Sequence, residues 1–251
     1  MTGPQIGLLD VTAGTVPEPP AAAEQVFGAA LPQLRAFAAL LAGPGVERGL
    51  LGPREAPRLW ERHLLNCAGL SELVEDGQVV LDLGSGAGLP GLVLALQRPQ
   101  VQVVLVESLQ RRAAFLSEAV EQLGLRTVVV RRARAEELHG SVEVDVVTAR
   151  AVAPVDRLAG WALPLLRPGG RLLALKGEQA ATELAAAGPA LKLHGAVSSS
   201  VVEVGSAELS TAARVVVVDR GTAVAPTARR TARPSPRAGG INATSKRRDR
   251  R

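Results

Sequence analysis

The sequence predicts an α/β fold, in which a mostly parallel sheet with an antiparallel edge strand follows an N-terminal helical extension. Two observations lead to this prediction. Strand-type apolar runs alternate with helix-type runs between Val79 and Leu175, and this alternation implies crossovers that cover both faces of a parallel sheet. Two later strand-type runs have only a turn region between them, which is typical of an antiparallel pair at a sheet edge.

Residues 21–78 are predicted to form a helical cap after a flexible, Pro-rich leader at residues 1–20. The stretch "AAAEQVFGAALPQLRAFAALLA" spaces apolar residues three and four apart, with an interruption near Pro32 and a Gly/Pro break at residues 43–45. The stretch "REAPRLWERHLLNCAGLSELV" predicts a second amphipathic helix. One face of that helix collects Leu59, Trp60, His63, Leu64 and Cys67.

The sheet domain is predicted to span residues 79–219. The apolar period changes from helical to strand-type at its first residue, and the elements then follow in alternation. The predicted strands are residues 79–83, 101–106, 127–130, 142–148, 171–175, 197–204 and 214–218, and the predicted helices are residues 89–97, 110–123 and 156–166.

The positive charge of the chain is concentrated at its C-terminus. Residues 220–251 hold ten of the 29 Lys and Arg but one of the 24 Asp and Glu, which leaves 19 basic against 23 acidic residues elsewhere. With few large apolar residues, this segment is predicted to be a disordered tail. Its charge favours a phosphate-binding arm, because basic tails bind polyanions by counterion release. The alternative is a solvated charged tail.

Several classes of protein are disfavoured by composition. The single cysteine, Cys67, cannot form an internal disulfide and lacks partners for a zinc site. No run approaches the ~18 apolar residues of a membrane span, and the first twenty residues lack the pattern of a signal peptide. We therefore expect a soluble, cytoplasmic protein that uses no metal and contacts no membrane.

The stretch "VVLDLGSGAGLPG" (Val79–Gly91) predicts a strand, a glycine-rich turn and a helix start, which is a common cofactor-binding arrangement. Read from Gly86, it satisfies the dinucleotide fingerprint, and Glu107 stands near the expected acidic position. Read from Asp82, it gives D-x-G-x-G-x-G followed by an acid at the end of the next strand. That order is the pattern of S-adenosylmethionine-dependent methyltransferases.

Two further features favour S-adenosylmethionine over a dinucleotide. Asp82 lies just before the turn, where its carboxylate could accept from the ammonium group of an amino-acid ligand, whereas a pyrophosphate gains nothing from a nearby carboxylate. No sizeable substrate domain follows the sheet, contrary to the usual layout of a dehydrogenase. A glycine turn with a purely structural role is the third alternative.

The motifs "WERHLLNC", "LDLGSGAGLPGLVLAL", "VESLQRRAAFLSEAVEQLGL", "RARAEEL", "DVVTARAVAP" and "LLALKG" occur in this order between about Leu59 and Val218. In content and order they resemble the bacterial ribosomal RNA small subunit methyltransferase G family, also called GidB. The resemblance implies a Rossmann-like class I methyltransferase domain. It further implies methyl transfer from S-adenosylmethionine to N7 of a guanine in the decoding-region loop of 16S rRNA.

The resemblance also implies roles for individual residues. Gly84 and Leu89 would line the cofactor, Ala135 and Glu136 would meet its adenine, and Arg150 would border cofactor and target. Together with the turn and the strand-end acid, the expected cofactor-binding set is Asp82, Gly84, Gly86, Leu89, Glu107, Ala135, Glu136 and Arg150. For Glu136, a surface carboxylate at a helix start is the competing interpretation.

Methylation of guanine N7 needs no general base, because this nitrogen carries a free lone pair. Arg150 and Lys176, at the ends of two strands, are therefore expected to position the target by gripping guanine O6 or a phosphate. Arg62 and His63 match an "RH" pair of the family and, with Arg247 and Arg248 of the tail, are expected to contact RNA. The expected partner is 16S rRNA within the 30S subunit, bound by a monomer.

Two other functions remain open on the sequence. A methyltransferase of this fold could act on a small molecule or a protein instead of RNA. A non-catalytic RNA-binding assembly factor could carry the glycine turn as a vestige. The intact Asp82, Gly84 and Glu107 disfavour the second of these.

Overall fold

The computed structural model describes residues 16–207 and 211–222, which place seven strands in one sheet. The first fifteen residues and residues 223–251, which include most of the predicted leader and tail, lie outside the described residues. The strands are β1 (Val79–Leu83), β2 (Gln102–Val106), β3 (Val128–Arg131), β4 (Val144–Arg150), β5 (Leu166–Lys176), β6 (Ala196–Val204) and β7 (Ala213–Arg220).

Helices flank the sheet and build the cap. They are α1 (Ala21–Phe27), α2 (Leu31–Leu40), α3 (Asn66–Ala68), α4 (Gly91–Gln97), α5 (Gln110–Gln122), α6 (Ala135–Leu138), α7 (Val155–Ala162) and α8 (Ala180–Leu193). The cap also contains 3₁₀-helical turns at Gly28–Ala30, Ala56–Arg58 and Gly69–Leu73 and π-helical turns at Leu41–Gly45 and Leu59–Leu65.

The strand order is β3-β2-β1-β4-β5-β7-β6. Strands β1 to β5 pair in parallel, whereas β7 is antiparallel to both β5 and β6. The predicted mostly parallel α/β sheet with an antiparallel edge is thus confirmed. The order reverses between β1 and β4, and sheets of this kind bind ligands beyond the carboxyl ends of the strands at such a switch point.

Both faces of the sheet are buried, as expected for parallel strands joined by crossovers. On β1, Val80 belongs to the apolar cluster that includes the cap, α4 and α5, whereas Leu81 belongs to the cluster formed with α7 and α8. Because successive side chains of a strand point to opposite faces, the apolar run "VVLDL" supplies both cores at once. The central strand is therefore fixed on both sides, and the turn that follows it starts from a rigid position.

The cap is packed onto the sheet domain through its apolar side chains. Leu34, Phe37 and Leu41 are fully buried in the same cluster as Val80. The helical stretch Ala21–Gly45 is long and apolar enough, by length and composition, to cross a membrane. The sequence analysis considered only uninterrupted apolar runs and did not single out this stretch, because polar residues occur within it. Its buried side chains belong to the apolar core.

Some elements differ from the predicted ones. Helix α8 was not predicted, because its buried residues are mainly alanines and Gly188 and Pro189 interrupt its pattern. Strand β4 continues to Arg150, two residues past its predicted end, and β5 begins at Leu166 instead of Arg171. The extension of β4 carries its last side chain to the edge where the strands end.

Candidate active site

The glycine turn after β1 needs a residue without a side chain at Gly84. Its φ is +70°, and a Cβ there would lie 2.9 Å from Cγ2 of Val152, in the segment after β4. The amide of Gly84 donates to the Val106 carbonyl at 2.9 Å, which ties the turn to the end of β2. The turn is thus held by its neighbour strand while its open side faces the segment after β4.

Two cavities lie at the carboxyl ends of the strands, one on each side of Val152. The smaller, of about 320 Å³, is lined by Leu83, Gly84, Val106, Glu107, Ser108, Ala133, Arg134, Ala135, Glu136, Val152 and Trp161. The larger, of about 940 Å³, is lined by Glu55, Glu61, Arg62, His63, Asn66, Arg150, Ala151, Val152, Ala153, Pro154, Leu175, Lys176, Gly177 and Glu183. Because Val152 lines both, the cavities adjoin at the segment after β4, beside the glycine turn.

Glu107 is buried at the wall of the smaller cavity, one residue past β2. Its Oε2 accepts from the Gly86 amide at 3.1 Å, and its Oε1 accepts from the Leu109 amide at 2.9 Å. Each carboxylate oxygen has a second lone pair, so these bonds orient the group without using its full accepting capacity. An oriented carboxylate in a mostly apolar cavity is suited to a ribose with two hydroxyls.

Asp82 lies beneath the turn. Its Oδ2 accepts from the Gly91 amide at 3.1 Å, and its Oδ1 has no hydrogen-bond partner. Burial raises the pKa of Asp82 from 3.8 to about 7, against the opposing effects of Ser85 and the Gly91 amide. The side chain lines neither cavity, so in this structure it supports the turn from behind rather than offering the predicted contact to an ammonium group.

Helix α6 brings Ala135 and Glu136, which were expected to meet the adenine of the cofactor, to the wall of the smaller cavity. The two neighbouring carboxylates have different environments, because Glu137 accepts from the Arg134 amide at 3.1 Å and caps the helix. Glu136 is exposed at the cavity wall. The capping role therefore belongs to Glu137, which leaves Glu136 available to a ligand.

Arg150, the last residue of β4, connects the sheet to the cap. Its guanidinium donates to Nδ1 of His63 at 2.6 Å and contacts Sγ of Cys67 at 3.2 Å, with longer bonds to the carbonyls of Arg62 and His63 at 3.4 Å. Burial raises the pKa of the Cys67 thiol, so this sulfur acts as a neutral partner. Arg150 was expected to border cofactor and target; it lines the larger cavity and not the smaller one, and most of its donors are used within the protein.

Lys176 was predicted to grip the target, and it also lines the larger cavity. Its Nζ donates to the Ala153 carbonyl at 2.6 Å and to Oε2 of Glu183 at 2.7 Å, and its side chain is 9% exposed. The ammonium group therefore fixes the segment after β4 to helix α8. In this structure it braces the cavity wall rather than presenting a free cation.

Arg62 and His63 line the larger cavity from the cap side. Nε2 of His63 lies 3.0 Å from Oε2 of Glu55, and Nη1 of Arg62 lies 3.3 Å from Oε1 of the same carboxylate. The Arg62 side chain is 56% exposed, so its guanidinium is accessible to an anionic ligand. Arg247 and Arg248 of the tail lie outside the described residues.

The sequence analysis thus identified residues of both cavities but missed part of their walls. Gly84, Glu107, Ala135 and Glu136 line the smaller cavity, whereas Gly86 and Leu89, like the buried aspartate, line neither. Val152, Trp161, Glu55 and Glu183 were not predicted. Val152 lies within the motif "DVVTARAVAP", but only Arg150 of that motif was given a role, and the positions of the other three depend on tertiary packing. Across residues 16–207 and 211–222, no three His, Cys, Asp or Glu side chains gather as metal ligands.

The smaller cavity fits the nucleoside part of S-adenosylmethionine. A Cβ at Gly84 would intrude beside it, apolar side chains form most of its wall, and Glu107 supplies an oriented acceptor. A solved structure with the same fold is M. jannaschii TYW2 in complex with AdoMet, with a TM-score of 0.50 and 16% identity over 64% of this chain and 76% of that one. The fold is that of a Rossmann-like class I methyltransferase, and the smaller cavity is suited to S-adenosylmethionine as its cofactor.

The family follows from sequence comparison. The family model described as rRNA small subunit methyltransferase G (GidB) matches residues 30–212. The chain is 54% identical over 206 residues to the Ribosomal RNA small subunit methyltransferase G of Thermobifida fusca, covering 82% of this chain and 87% of that protein. It is 50% identical over 248 residues to the protein of that name from Nocardioides sp., covering 96% and 99%. The chain therefore belongs to the rRNA small subunit methyltransferase G family.

We predict that Gly84→Val weakens binding of S-adenosylhomocysteine by at least about tenfold, or ~1.4 kcal/mol. The new side chain would need a backbone φ of +70° and would collide with Val152. Isothermal titration calorimetry measures the effect. Gly140→Val is the matched control, because Gly140 has a φ of +75° with no atom within 4 Å of its Cβ position. Equal affinity in Gly84→Val and the unmodified protein would contradict the site assignment.

We also predict that Asp82 makes the free protein less stable as pH rises. The folded protein holds the Asp82 proton up to about pH 7, whereas an ordinary aspartate loses it near 3.8. Between these values the folded state binds more protons than the unfolded chain, so stability falls with increasing pH, by on the order of 4 kcal/mol. Urea unfolding of the unmodified protein and of Asp82→Asn from pH 4.5 to 8 tests this. Parallel pH curves for the two proteins would refute it.

Proposed function

We propose that this protein transfers a methyl group from S-adenosylmethionine to N7 of a guanine in the decoding-region loop of 16S rRNA. The observation that carries the proposal is the family match over residues 30–212. The geometry is consistent with it, because a cavity suited to a nucleoside adjoins a larger, polar cavity at Val152. In this arrangement the methyl donor and the target base approach each other across Val152.

The residues around the smaller cavity bind and orient the cofactor in this proposal. Glu107 accepts from the ribose hydroxyls, Ala135 and Glu136 meet the adenine edge, and Gly84 permits close approach of the backbone. Asp82, Gly86 and Leu89 shape the glycine turn, the first two through their hydrogen bonds to Gly91 and Glu107. S-adenosylmethionine, when bound, supplies an electrophilic methyl group on its sulfonium.

Catalysis rests on positioning, because guanine N7 carries a lone pair and loses no proton when it is methylated. Holding two reactants in register can contribute roughly 7 to 11 kcal/mol to lowering a barrier. The segment after β4 is suited to this task, since Lys176 bonds to the Ala153 carbonyl from one side and Arg150 anchors its start from the other. We assign both cations to binding and positioning, and neither to acid–base chemistry.

The cationic groups are arranged so that little positive charge faces the product, which is itself cationic. Lys176 is paired with Glu183, and Arg150 directs its donors to the cap. Arg62 is the more exposed of the two cap residues predicted to contact RNA, and its guanidinium can reach a phosphate at the cavity mouth. A phosphate contact there would hold the RNA without placing a free cation beside the methylated base.

The wider setting follows from the substrate. We place the protein in the cytoplasm, as a monomer acting on the 30S subunit, where ribosomal proteins fix the shape of the loop. The tail, with Arg247 and Arg248, contributes phosphate contacts that do not depend on RNA sequence.

We predict that labelled methyl groups pass from S-adenosylmethionine to unmodified 30S subunits and appear as 7-methylguanosine after digestion to nucleosides. Naked 16S rRNA and bulk tRNA are tested in parallel. Label in tRNA alone, or none in any RNA despite cofactor binding, would refute the proposed substrate. The second result would direct the search to a small-molecule or protein acceptor.

We further predict that a chain ending at Thr222 folds normally and binds RNA more weakly, with a shallower dependence of affinity on salt. The plot of log K against log salt has a negative slope. For every phosphate that the shortened chain no longer neutralises, this slope becomes less steep by about 0.9 on a B-form duplex and by about 0.7 on single strands. This end point keeps the hydrogen bond from the Gly221 amide to the Gly195 carbonyl, so β7 retains its last backbone bond. Equal slopes for the two chains would exclude the tail as a phosphate-binding arm.

A further inference from the structure

A chain of three side chains connects the cap to the last residue of β4. Oε2 of Glu55 lies 3.0 Å from Nε2 of His63, and Nδ1 of the same imidazole lies 2.6 Å from a guanidinium nitrogen of Arg150. The imidazole is 12% exposed at its side chain. All three residues line the larger cavity, so the connection forms part of its wall.

The chemistry of the two partners fixes the protonation of His63. A guanidinium can only donate, so Nδ1 must accept and carries no proton. A neutral imidazole then holds its proton on Nε2, which donates to the Glu55 carboxylate. Each partner thus requires the same tautomer, and the carboxylate orients the ring for its bond to Arg150.

The charged groups around His63 influence the protonation of its imidazole. Glu55 faces Nε2 from the preceding turn, Arg62 adjoins it in the same helical turn, and Arg150 faces Nδ1 from the sheet, next to the buried Cys67. Across the cavity stand the paired Lys176 and Glu183 and, on the cap, Glu61. Burial and the charge of Arg150 lower the pKa of His63, against the opposing effect of Glu55. The imidazole is therefore neutral at pH 7.

The position of Arg150 matters for both cavities. Ala151, the next residue, has a φ of +53°, a conformation that a residue with a side chain seldom adopts. Val152 follows and touches Gly84 at the junction of the cavities. The bonds of Arg150 to the cap therefore fix the start of this strained segment. Its second residue, Val152, stands between the two cavities that are proposed to hold cofactor and target.

We infer that His63 is a positioning residue, whose unprotonated Nδ1 holds the Arg150 guanidinium and thereby sets the segment that carries Val152, with Glu55 selecting the required tautomer. This differs from the sequence-based expectation that His63 contacts RNA. The inference rests on the proposed function for its consequence in catalysis, while the tautomer itself can be tested without any RNA substrate.

The tautomer is tested by ¹⁵N NMR of protein labelled at the imidazole nitrogens, in which only His63, His139 and His194 contribute signals. We expect neutral His63 at pH 7 with its proton on Nε2. Glu55→Gln keeps an amide oxygen opposite Nε2 and should preserve this tautomer, whereas Glu55→Leu removes that acceptor and should lower the population of the tautomer. A cationic ring, or a proton on Nδ1 in the unmodified protein, would overturn the inference even if methyl transfer proceeds as proposed.

The consequence for catalysis is tested with two amides of matched reach. His63→Asn places an acceptor two bonds from Cβ, as Nδ1 is, whereas His63→Gln places its amide three bonds away, as Nε2 is. We expect kcat of His63→Asn within about threefold of the unmodified enzyme and that of His63→Gln at least about tenfold lower, because small displacements at a reacting centre are costly. Thermal unfolding and S-adenosylhomocysteine binding establish that both variants are folded.

The pH profile separates positioning from a purely structural role. Protonation places a hydrogen on Nδ1, facing the guanidinium, so activity of the unmodified enzyme should fall on the acid side as His63 is protonated. His63→Asn should lack this acid limb. Identical profiles, or an Asn variant no more active than the Gln variant, would overturn the positioning role. If the unmodified protein methylates no RNA, the proposed function fails and the NMR result alone decides the inference.

Discussion

Because Gly84 carries no side chain, Val152 can lie against its backbone, and this contact determines where the two cavities of the site meet. The contact depends on both partners being held in place. The glycine turn is bonded to the end of β2 through the Val106 carbonyl, and the segment with Val152 is tied at its start by Arg150 and further on by Lys176. A side chain at Gly84 would push these two supports apart.

The cap is therefore part of the site as well as part of the core. Its buried residues, among them Leu34 and Phe37, share one apolar cluster with the central strand. Its polar residues Glu55 and His63 reach the end of β4. A change in how the cap packs would thus be transmitted to Arg150, and through it to the junction of the cavities, without any change in the residues of the junction.

Much of the fold could be predicted from the sequence because the signals are local. The alternation of apolar residues in the strands, the glycine turn and Glu107 can each be recognised from a few neighbouring residues. Because the strands are parallel, the turn and Glu107 must lie at the edge of the sheet where the strands end. The interactions of charged side chains could not be predicted in this way. Lys176 is neutralised by Glu183 of a helix whose alanine-rich sequence gives little periodic signal, and Asp82 turns to the Gly91 amide rather than to the cavity. Both outcomes depend on neighbours brought together only by the tertiary fold.

The two tryptophans lie in different surroundings, so their fluorescence can respond differently to a bound ligand. The sequence has no tyrosine, so its near-ultraviolet emission comes from two indoles in different surroundings. Trp161 lines the smaller cavity, whereas Trp60 is buried in the cap and donates to the Pro17 carbonyl at 2.7 Å. A nucleoside bound in this cavity, as proposed, would change the surroundings of Trp161 and leave those of Trp60 unchanged. The fluorescence of the unlabelled, unmodified chain would then report whether the cofactor is bound.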